Sequence, residues 1–210
     1  MNERYVFTPG GSQTPAEAAA NPVDDLAPFY AYGPDKVALE TIMRLQAVKR
    51  WHMLDTTRQQ TLAEHSANVA MLAFLIAATA PEMYFGPAAG LAARALIHDL
   101  DEVFSGDIPT PTKDYGSMRK TIKELEKRLV PRVFELYLDS APDHDLLIKL
   151  CDLADGIRFI RLHGVDVTSV HARSGLEKQL KKKYDAMQNW PAKIRRHVSQ
   201  HVQFYAYENS

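Results

Sequence analysis

The chain has 210 residues, enough for one domain with a sizeable core, and an ordinary globular balance of 46% hydrophobic and 24% charged residues. Its 25 basic and 26 acidic residues nearly cancel, which argues against a dedicated polyanion binder but leaves room for a local positive patch toward a small phosphorylated ligand. The single Cys151 excludes an intramolecular disulfide and fits a reducing cytoplasm, the segment MNERYVF has no apolar signal core, and the longest apolar run, Val69 to Ala80, is too short to span a bilayer.

Prolines at positions 9, 15, 22 and 28 forbid a long helix before residue 34. Residues 1–33 therefore read as an extended arm with short turns, either lying on the globule or a partner subunit through its aromatics, or disordered. From Pro34 the pattern is helical almost throughout. A first helix starts at Pro34 or Asp35, carries Val37, Ile42, Leu45 and Val48, and is expected to end at Lys49 and Arg50. Residues 51–60 are polar and irregular. Thr61 and Glu64 have the spacing of a capping box, which opens a helix with His65 in its first turns and Val69, Leu72 and Ile76 on its buried side. Pro81 ends it.

The next helix is expected to run from Pro87 through His98 and Asp99 to Ser105, with Gly106 just past its end. A proline-punctuated loop, 107–115, leads to a charged helix around Met118 to Leu129. Pro131 breaks that helix, and a short one follows to Leu138. Another begins after Pro142 and carries Leu146, Leu147, Leu150, Leu153 and Ile157, with Gly156 placed for close packing or to make room for a ligand. A basic amphipathic helix over 174–188 and a last one after Pro191 complete the chain. The cluster Lys181 to Lys183 reads as a solvated face. No strand run is convincing, so the fold class is all-α: an arm over 1–33 and one compact helical domain over 34–210.

The chemistry gathers in IHDLDEVFSGDIPTP, residues 97–111. On a helix His98 and Glu102 are four apart and Asp99 and Glu102 three apart, so all can share the face that Leu91 and Ala95 bury. A histidine and two carboxylates facing inward are costly unless a charge sits opposite, and a divalent metal supplies one. A buried His-Asp pair beside a solvated acidic step is the plainer alternative. His65 and an Asp from LIKLCDLADGI extend the set. Asp152 is preferred over its rival Asp155 because Lys149 lies one turn before it. Imidazole with carboxylate suits borderline first-row divalent ions, and no cysteine cluster competes.

In this order, His65, then His98 with Asp99, then Asp152, the chain resembles the HD-domain metal-dependent phosphohydrolases. RWHM at 50–53, AEHS at 63–66, HDLDEVFSGDIPTPTK at 98–113 and KLCD at 149–152 resemble their small 5′-deoxynucleotidase branch, over roughly residues 34–162. An HD dipeptide alone would be nearly worthless; the long block is highly specific. The resemblance implies an HD-domain helical bundle in which His65, His98, Asp99 and Asp152 bind a divalent metal ion (Co, Mn or Zn), with additional Mg or Mn for a polyphosphate. It implies that Glu102 positions the attacking water and that Asp107 supports that water or the phosphate. Arg50 would reach the phosphate, joined by Lys113 and Lys149, and Trp51 would pack on the deoxyribose and base. Pro109 and Pro111 would stiffen the loop at the mouth, with Pro111 beside the substrate.

Such an enzyme would cut the bond between the α-phosphorus and O5′ of a 2′-deoxynucleotide, releasing the deoxynucleoside. Two departures from the bacterial monophosphatase pattern, His52 after Arg50-Trp51 and Arg58-Gln59-Gln60-Thr61 before AEHS, look more like phage dATP triphosphohydrolases. Release of triphosphate is slightly favoured, and release of phosphate from a monophosphate is the alternative. A guanosine-tetraphosphate hydrolase or cyclic-nucleotide phosphodiesterase would share the metal ligands but not explain Arg50-Trp51 or the GDxPTP block. A non-catalytic binding module would be expected to have lost a ligand or Glu102. The implied setting is the cytoplasm, of a host cell if phage-encoded, with a small-molecule substrate, no nucleic-acid polymer or membrane partner, and a homo-oligomer of two or more chains.

Overall fold

The computed structural model describes residues 34–113, 115–129 and 141–208. The arm over 1–33 and the short helix expected between Pro131 and Leu138 lie outside the described residues. Helix α1 (Pro34–Arg44) stops short of the expected Lys49-Arg50 end. A turn follows it, and strand β1 (Lys49–Arg50) pairs antiparallel with β2 (Gln60–Thr61). The amides of Leu62 and Ala63 bond the carbonyls of Val48 and Leu45, so this segment is held by the start of the next helix rather than by its own helical ladder. That exchange turns Arg50 inward, where it is buried.

Helix α2 (Leu62–Thr79) starts as its capping pattern predicts: the Thr61 side chain accepts from the amide of Glu64 at 3.1 Å. The Glu64 carboxylate turns instead to Arg58, at 2.5 and 2.8 Å. Long and apolar enough by length and composition to cross a membrane, α2 is half buried as the central core helix. Its Val69, Ala73 and Ile76 pack with Leu91 and Ala95 of α3 (Ala88–Leu96) and with Leu147, Leu150 and Ile157 of α7 (Pro142–His163). Leu180 of α8 (Val167–Ala186) and Ile194, Val198 and Val202 of α9 (Ala192–Tyr207) close the far side. Each such fully buried leucine or isoleucine contributes roughly 1.5–3 kcal/mol of transfer free energy.

The helix expected to run unbroken from Pro87 to Ser105 does not. It ends at Leu96, and a tight turn over 97–101 separates it from α4 (Glu102–Ser105). Ile97 leaves helical geometry (φ −110°, ψ 10°), and the His98 ring bonds the carbonyl of Ala95, so the last turn of α3 closes on a side chain. Leu100 and Val103 then pack with Leu62 as a smaller core, with Leu45 and Val48 against them. Gly106 follows with φ +75°, a value that favours glycine. The expected loop over 107–115 contains a single helical turn, α5 (Thr110–Lys113), and α6 (Met118–Leu129) matches expectation. Helix α8 starts seven residues before the expected Ser174, because Asp166 caps it by accepting from the amide of Ser169 at 2.8 Å.

Candidate active site

Three elements deliver four side chains to one point. His65 comes from the second turn of α2, His98 and Asp99 from the turn after α3, and Asp152 from the middle of α7. One ligand atom from each lies within 4.8 Å of the others. His65 Nε2 is 3.2 Å from Asp152 Oδ1 and 3.6 Å from Asp99 Oδ2, and His98 Nε2 is 3.2 Å from the same Asp99 oxygen. His65 is fully buried, whereas the Asp99 side chain is 23% exposed, so the cluster opens to solvent on the Asp99 side.

The outer nitrogens decide which inner atoms are available. His98 Nδ1 donates to the carbonyl oxygen of Ala95 at 2.7 Å, and His65 Nδ1 donates to Asp155 Oδ2 at 2.7 Å. Both acceptors fix the proton on Nδ1 and leave Nε2 aimed into the cluster. There the two Nε2 atoms are buried with no hydrogen-bond partner. Two orphaned imidazole nitrogens beside two carboxylates form a donor set that fits a divalent first-row ion such as Zn²⁺.

Around the four stands a ring of charge. The Arg50 guanidinium lies 3.0 Å from Asp99 Oδ2, 3.6 Å from Glu102 Oε2 and 3.7 Å from Asp152 Oδ1. Lys113 Nζ donates to Glu102 Oε1 at 2.9 Å, and Lys149 Nζ to Asp152 Oδ2 at 2.5 Å. Burial works against charge on His65 and Arg50 opposes it too, but Asp152, Asp155 and Asp99 outweigh both and raise its pKa to about 10. Burial also opposes Asp152, which Lys149 and His65 nonetheless hold well below the carboxylate range. Glu102 goes the other way: burial and then the charge of Asp99 raise it to about 7 against the pull of Arg50 and Lys113. Its Oε2 is buried without a hydrogen bond.

Trp51 and Asp107 pair at the edge of this ring. Trp51 has φ +61°, which is strained for a tryptophan, and its amide donates to Asp107 Oδ2 at 3.2 Å. A groove of about 350 Å³ opens beside them, lined by Val48, Lys49, His52 and residues 105–109. The indole ring lies beside Arg50, 5.4 Å from its guanidinium carbon, and packs against Gly156, where a Cβ would come 3.1 Å from the ring. The structure thus brings together Arg50, His65, His98, Asp99, Glu102, Lys113, Lys149 and Asp152. It sets Trp51 and Asp107 at the mouth, and the side chain of Pro111 lies outside what is described.

Sequence reasoning weighed Asp152 against Asp155 as if one excluded the other. Both are used: Asp152 Oδ1 faces His65 Nε2, and Asp155, one turn on, holds Nδ1. Gln60, Asn68 and Tyr205 were missed. Each donates to Asp155, at 2.7, 3.0 and 2.8 Å. An Asp deep in an apolar run was the available signal; Gln60 lies in a polar, irregular stretch, and Tyr205, fifty residues further on, carried none.

The chain is similar to proteins of known family. The 5′-deoxynucleotidase YfbR-like family profile matches residues 38–142. The chain is 33% identical over 154 residues to the dATP triphosphohydrolase of cyanophage S-2L, a match covering 69% of this chain and 82% of that protein. It is 34% identical over 116 residues to the 5′-deoxynucleotidase YfbR of Salmonella typhi, covering 53% of this chain and 56% of that one. Among solved structures, the cyanophage S-2L HD phosphohydrolase DatZ, bound to dA and one catalytic Zn²⁺ ion, superposes with a TM-score of 0.67 at 27% identity, covering 78% of this chain and 93% of DatZ. An HD-domain phosphohydrolase from Listeria innocua shares the fold, with a TM-score of 0.51 at 19% identity. On these grounds the chain belongs to the YfbR-like 5′-deoxynucleotidase family of HD-domain phosphohydrolases, and it is a hydrolase.

Proposed function

We propose that the protein hydrolyses the ester between the α-phosphorus and O5′ of 2′-deoxynucleoside triphosphates, with dATP as the first substrate to test, releasing deoxynucleoside and triphosphate. The observation that carries this reading is the pair of orphaned Nε2 atoms facing Asp99 and Asp152 beside a buried Glu102 oxygen that makes no hydrogen bond. His65, His98, Asp99 and Asp152 would hold a divalent ion, which would lower the pKa of an attacking water and offset negative charge on the phosphate.

The chain's own groups do the rest. Glu102, three residues after Asp99, orients the attacking water, accepts its proton as the water oxygen bonds phosphorus and the P–O5′ bond breaks, and returns that proton to the departing O5′. Burial places its pKa near neutrality, suited to that exchange. Arg50 and Lys113 bind non-bridging phosphoryl oxygens, since attack on a phosphate ester is slowed by the charge of both reactants. Lys149 reaches the chain's outer phosphates from its more exposed position beside Asp152. Asp107 supports the substrate side by holding the Trp51 backbone, and Trp51 stacks on the deoxyribose and base, filling the space of a 2′-hydroxyl. Pro111 stiffens the loop that bears Lys113.

The triphosphate reading is supported by the long match to the cyanophage dATP triphosphohydrolase and by three cations, Arg50, Lys113 and Lys149, around one cluster. A 5′-deoxynucleotidase acting on monophosphates is the second reading, favoured by the match to YfbR. Incubating metal-loaded protein with each dNMP and dNTP, and separating phosphate from triphosphate by ion exchange, decides between them. Triphosphate from dATP supports the first reading, and phosphate from dAMP with inert dATP replaces it by the second. The protein works in the cytoplasm as a homo-oligomer without a nucleic-acid or membrane partner; sedimentation analysis tests the oligomer.

A further inference from the structure

One chain of hydrogen bonds joins the two halves of the site. Trp51 Nε1 donates to Gln60 Oε1 at 2.8 Å, Gln60 Nε2 donates to Asp155 Oδ2 at 2.7 Å, and the same Oδ2 accepts from His65 Nδ1 at 2.7 Å. Its direction is fixed by chemistry rather than by choice of amide orientation. An indole nitrogen can only donate and an ionised carboxylate can only accept, so Gln60 has one way to satisfy both. Gln60 is 1% exposed and Asp155 2%, so neither can trade a lost bond for water. The other carboxylate oxygen of Asp155 accepts from Asn68 of α2 and from Tyr205 of α9, at 3.0 and 2.8 Å. Four donors converge on Asp155 from the pre-α2 strand, from α2 and from the last helix.

We infer that Asp155 and Gln60 are positioning residues that set the sugar platform Trp51 and the metal-facing histidine His65 from one shared carboxylate. The inference rests on the proposed roles of those two side chains and adds a reason for their geometry. Trp51 sits at a strained φ of +61° and is located by three independent restraints. Asp107 holds its amide, Gln60 holds its indole nitrogen, and the close backbone of Gly156, one residue after Asp155, backs its ring. Asp155 therefore orients the residue that faces the sugar through Gln60, and the residue that faces the metal directly.

Replacing Asp155 by Asn tests the node. The amide puts an NH₂ where donors already point. With its NH₂ toward Gln60 and His65 the amide meets two donors; with its oxygen there, the NH₂ faces Asn68 and Tyr205, which must turn to accept, and in either pose the His65 Nδ1–H loses its charged acceptor. Two quantities are read on wild type, Asp155→Asn and Gln60→Met: the affinity of metal-free protein for Zn²⁺ by calorimetry, and the ratio of kcat/KM for dATP over ATP. Asp155→Asn is expected to weaken Zn²⁺ binding about tenfold or more. Gln60→Met keeps the length and volume of the side chain but removes its hydrogen bonds. It is expected to lower the ratio about threefold to tenfold with Zn²⁺ affinity near wild type. A wild-type ratio in Gln60→Met, or wild-type Zn²⁺ affinity in Asp155→Asn, overturns the inference. If Asp155→Asn fails to fold, Gln60→Met still decides the Trp51 half, and Asp155→Glu, which keeps the charged acceptor but displaces it, reads the His65 half through Zn²⁺ affinity. A wild-type protein that turns over no nucleotide defeats the proposed function instead, and the Zn²⁺ affinities still read the His65 half.

Discussion

His98 Nδ1 donates to the carbonyl oxygen of Ala95 at 2.7 Å, and that bond both ends helix α3 and turns the histidine's other nitrogen into the site. A backbone carbonyl cannot donate, so the proton on Nδ1 is obligatory and Nε2 is the atom left for a cation. The break in the helix is thus part of the site. It lets His98 and Asp99 face the same cluster, although adjacent residues on a continuous helix would diverge by about 100°.

Glu102→Gln should leave the four-residue cluster intact and remove the group that accepts the water's proton. Turnover of the best deoxynucleotide is expected to fall by about 10²–10⁴-fold, with the Zn²⁺ stoichiometry of wild type. Retained full activity in this variant would remove Glu102 from the mechanism.

Metal binding should release protons. The metal-free protein holds His65 charged at neutral pH, because the three surrounding aspartates outweigh burial and Arg50 and raise its pKa to about 10. A cation can occupy Nε2 only after that proton leaves, so Zn²⁺ affinity should climb as pH rises from 6 toward 9. Calorimetry in two buffers of different ionisation enthalpy reads the release directly. Enthalpies independent of buffer would show that metal binding displaces no proton from His65.

Gly156→Ala should act on the sugar platform without touching a charged group. The new Cβ would stand 3.1 Å from Trp51 and from Leu176, so the indole must tilt or the two helices part. Overpacking of this kind costs about 1–3 kcal/mol. The expected result is a lower melting temperature together with a lower dATP:ATP ratio of kcat/KM. An unchanged ratio would show that the helices part and leave the indole in place.

Thr61→Ala removes the cap of α2 and is expected to cost about 1 kcal/mol, seen as a lower denaturation midpoint at unchanged slope. No loss of stability would mean that the pairing of β1 with β2 alone fixes the start of that helix.

Much of the site was legible in the sequence because its residues sit at helical spacing beside recognisable signals. The Thr61 and Glu64 spacing located His65, and Asp152 stood out among leucines with Lys149 one turn before it. The helix ends were less legible. Nothing local announces that His98 takes the carbonyl of Ala95, or that Lys49 and Arg50 leave α1 to pair with Gln60 and Thr61; both are tertiary choices. Asp155 was seen but set aside, because a choice between two carboxylates three apart on one helix hides the case in which they flank the same imidazole. Tyr205 could not be found at all, since its only relevance is a contact made by a helix that sequence resemblance did not reach.

The most direct measurement follows the oxygen. Metal-loaded protein is given dATP in H₂¹⁸O and the products are separated and weighed by mass spectrometry. Attack at the α-phosphorus with O5′ leaving predicts one ¹⁸O in the released triphosphate and none in deoxyadenosine. Label in deoxyadenosine, or dADP or dAMP as the nucleotide product, would contradict the account.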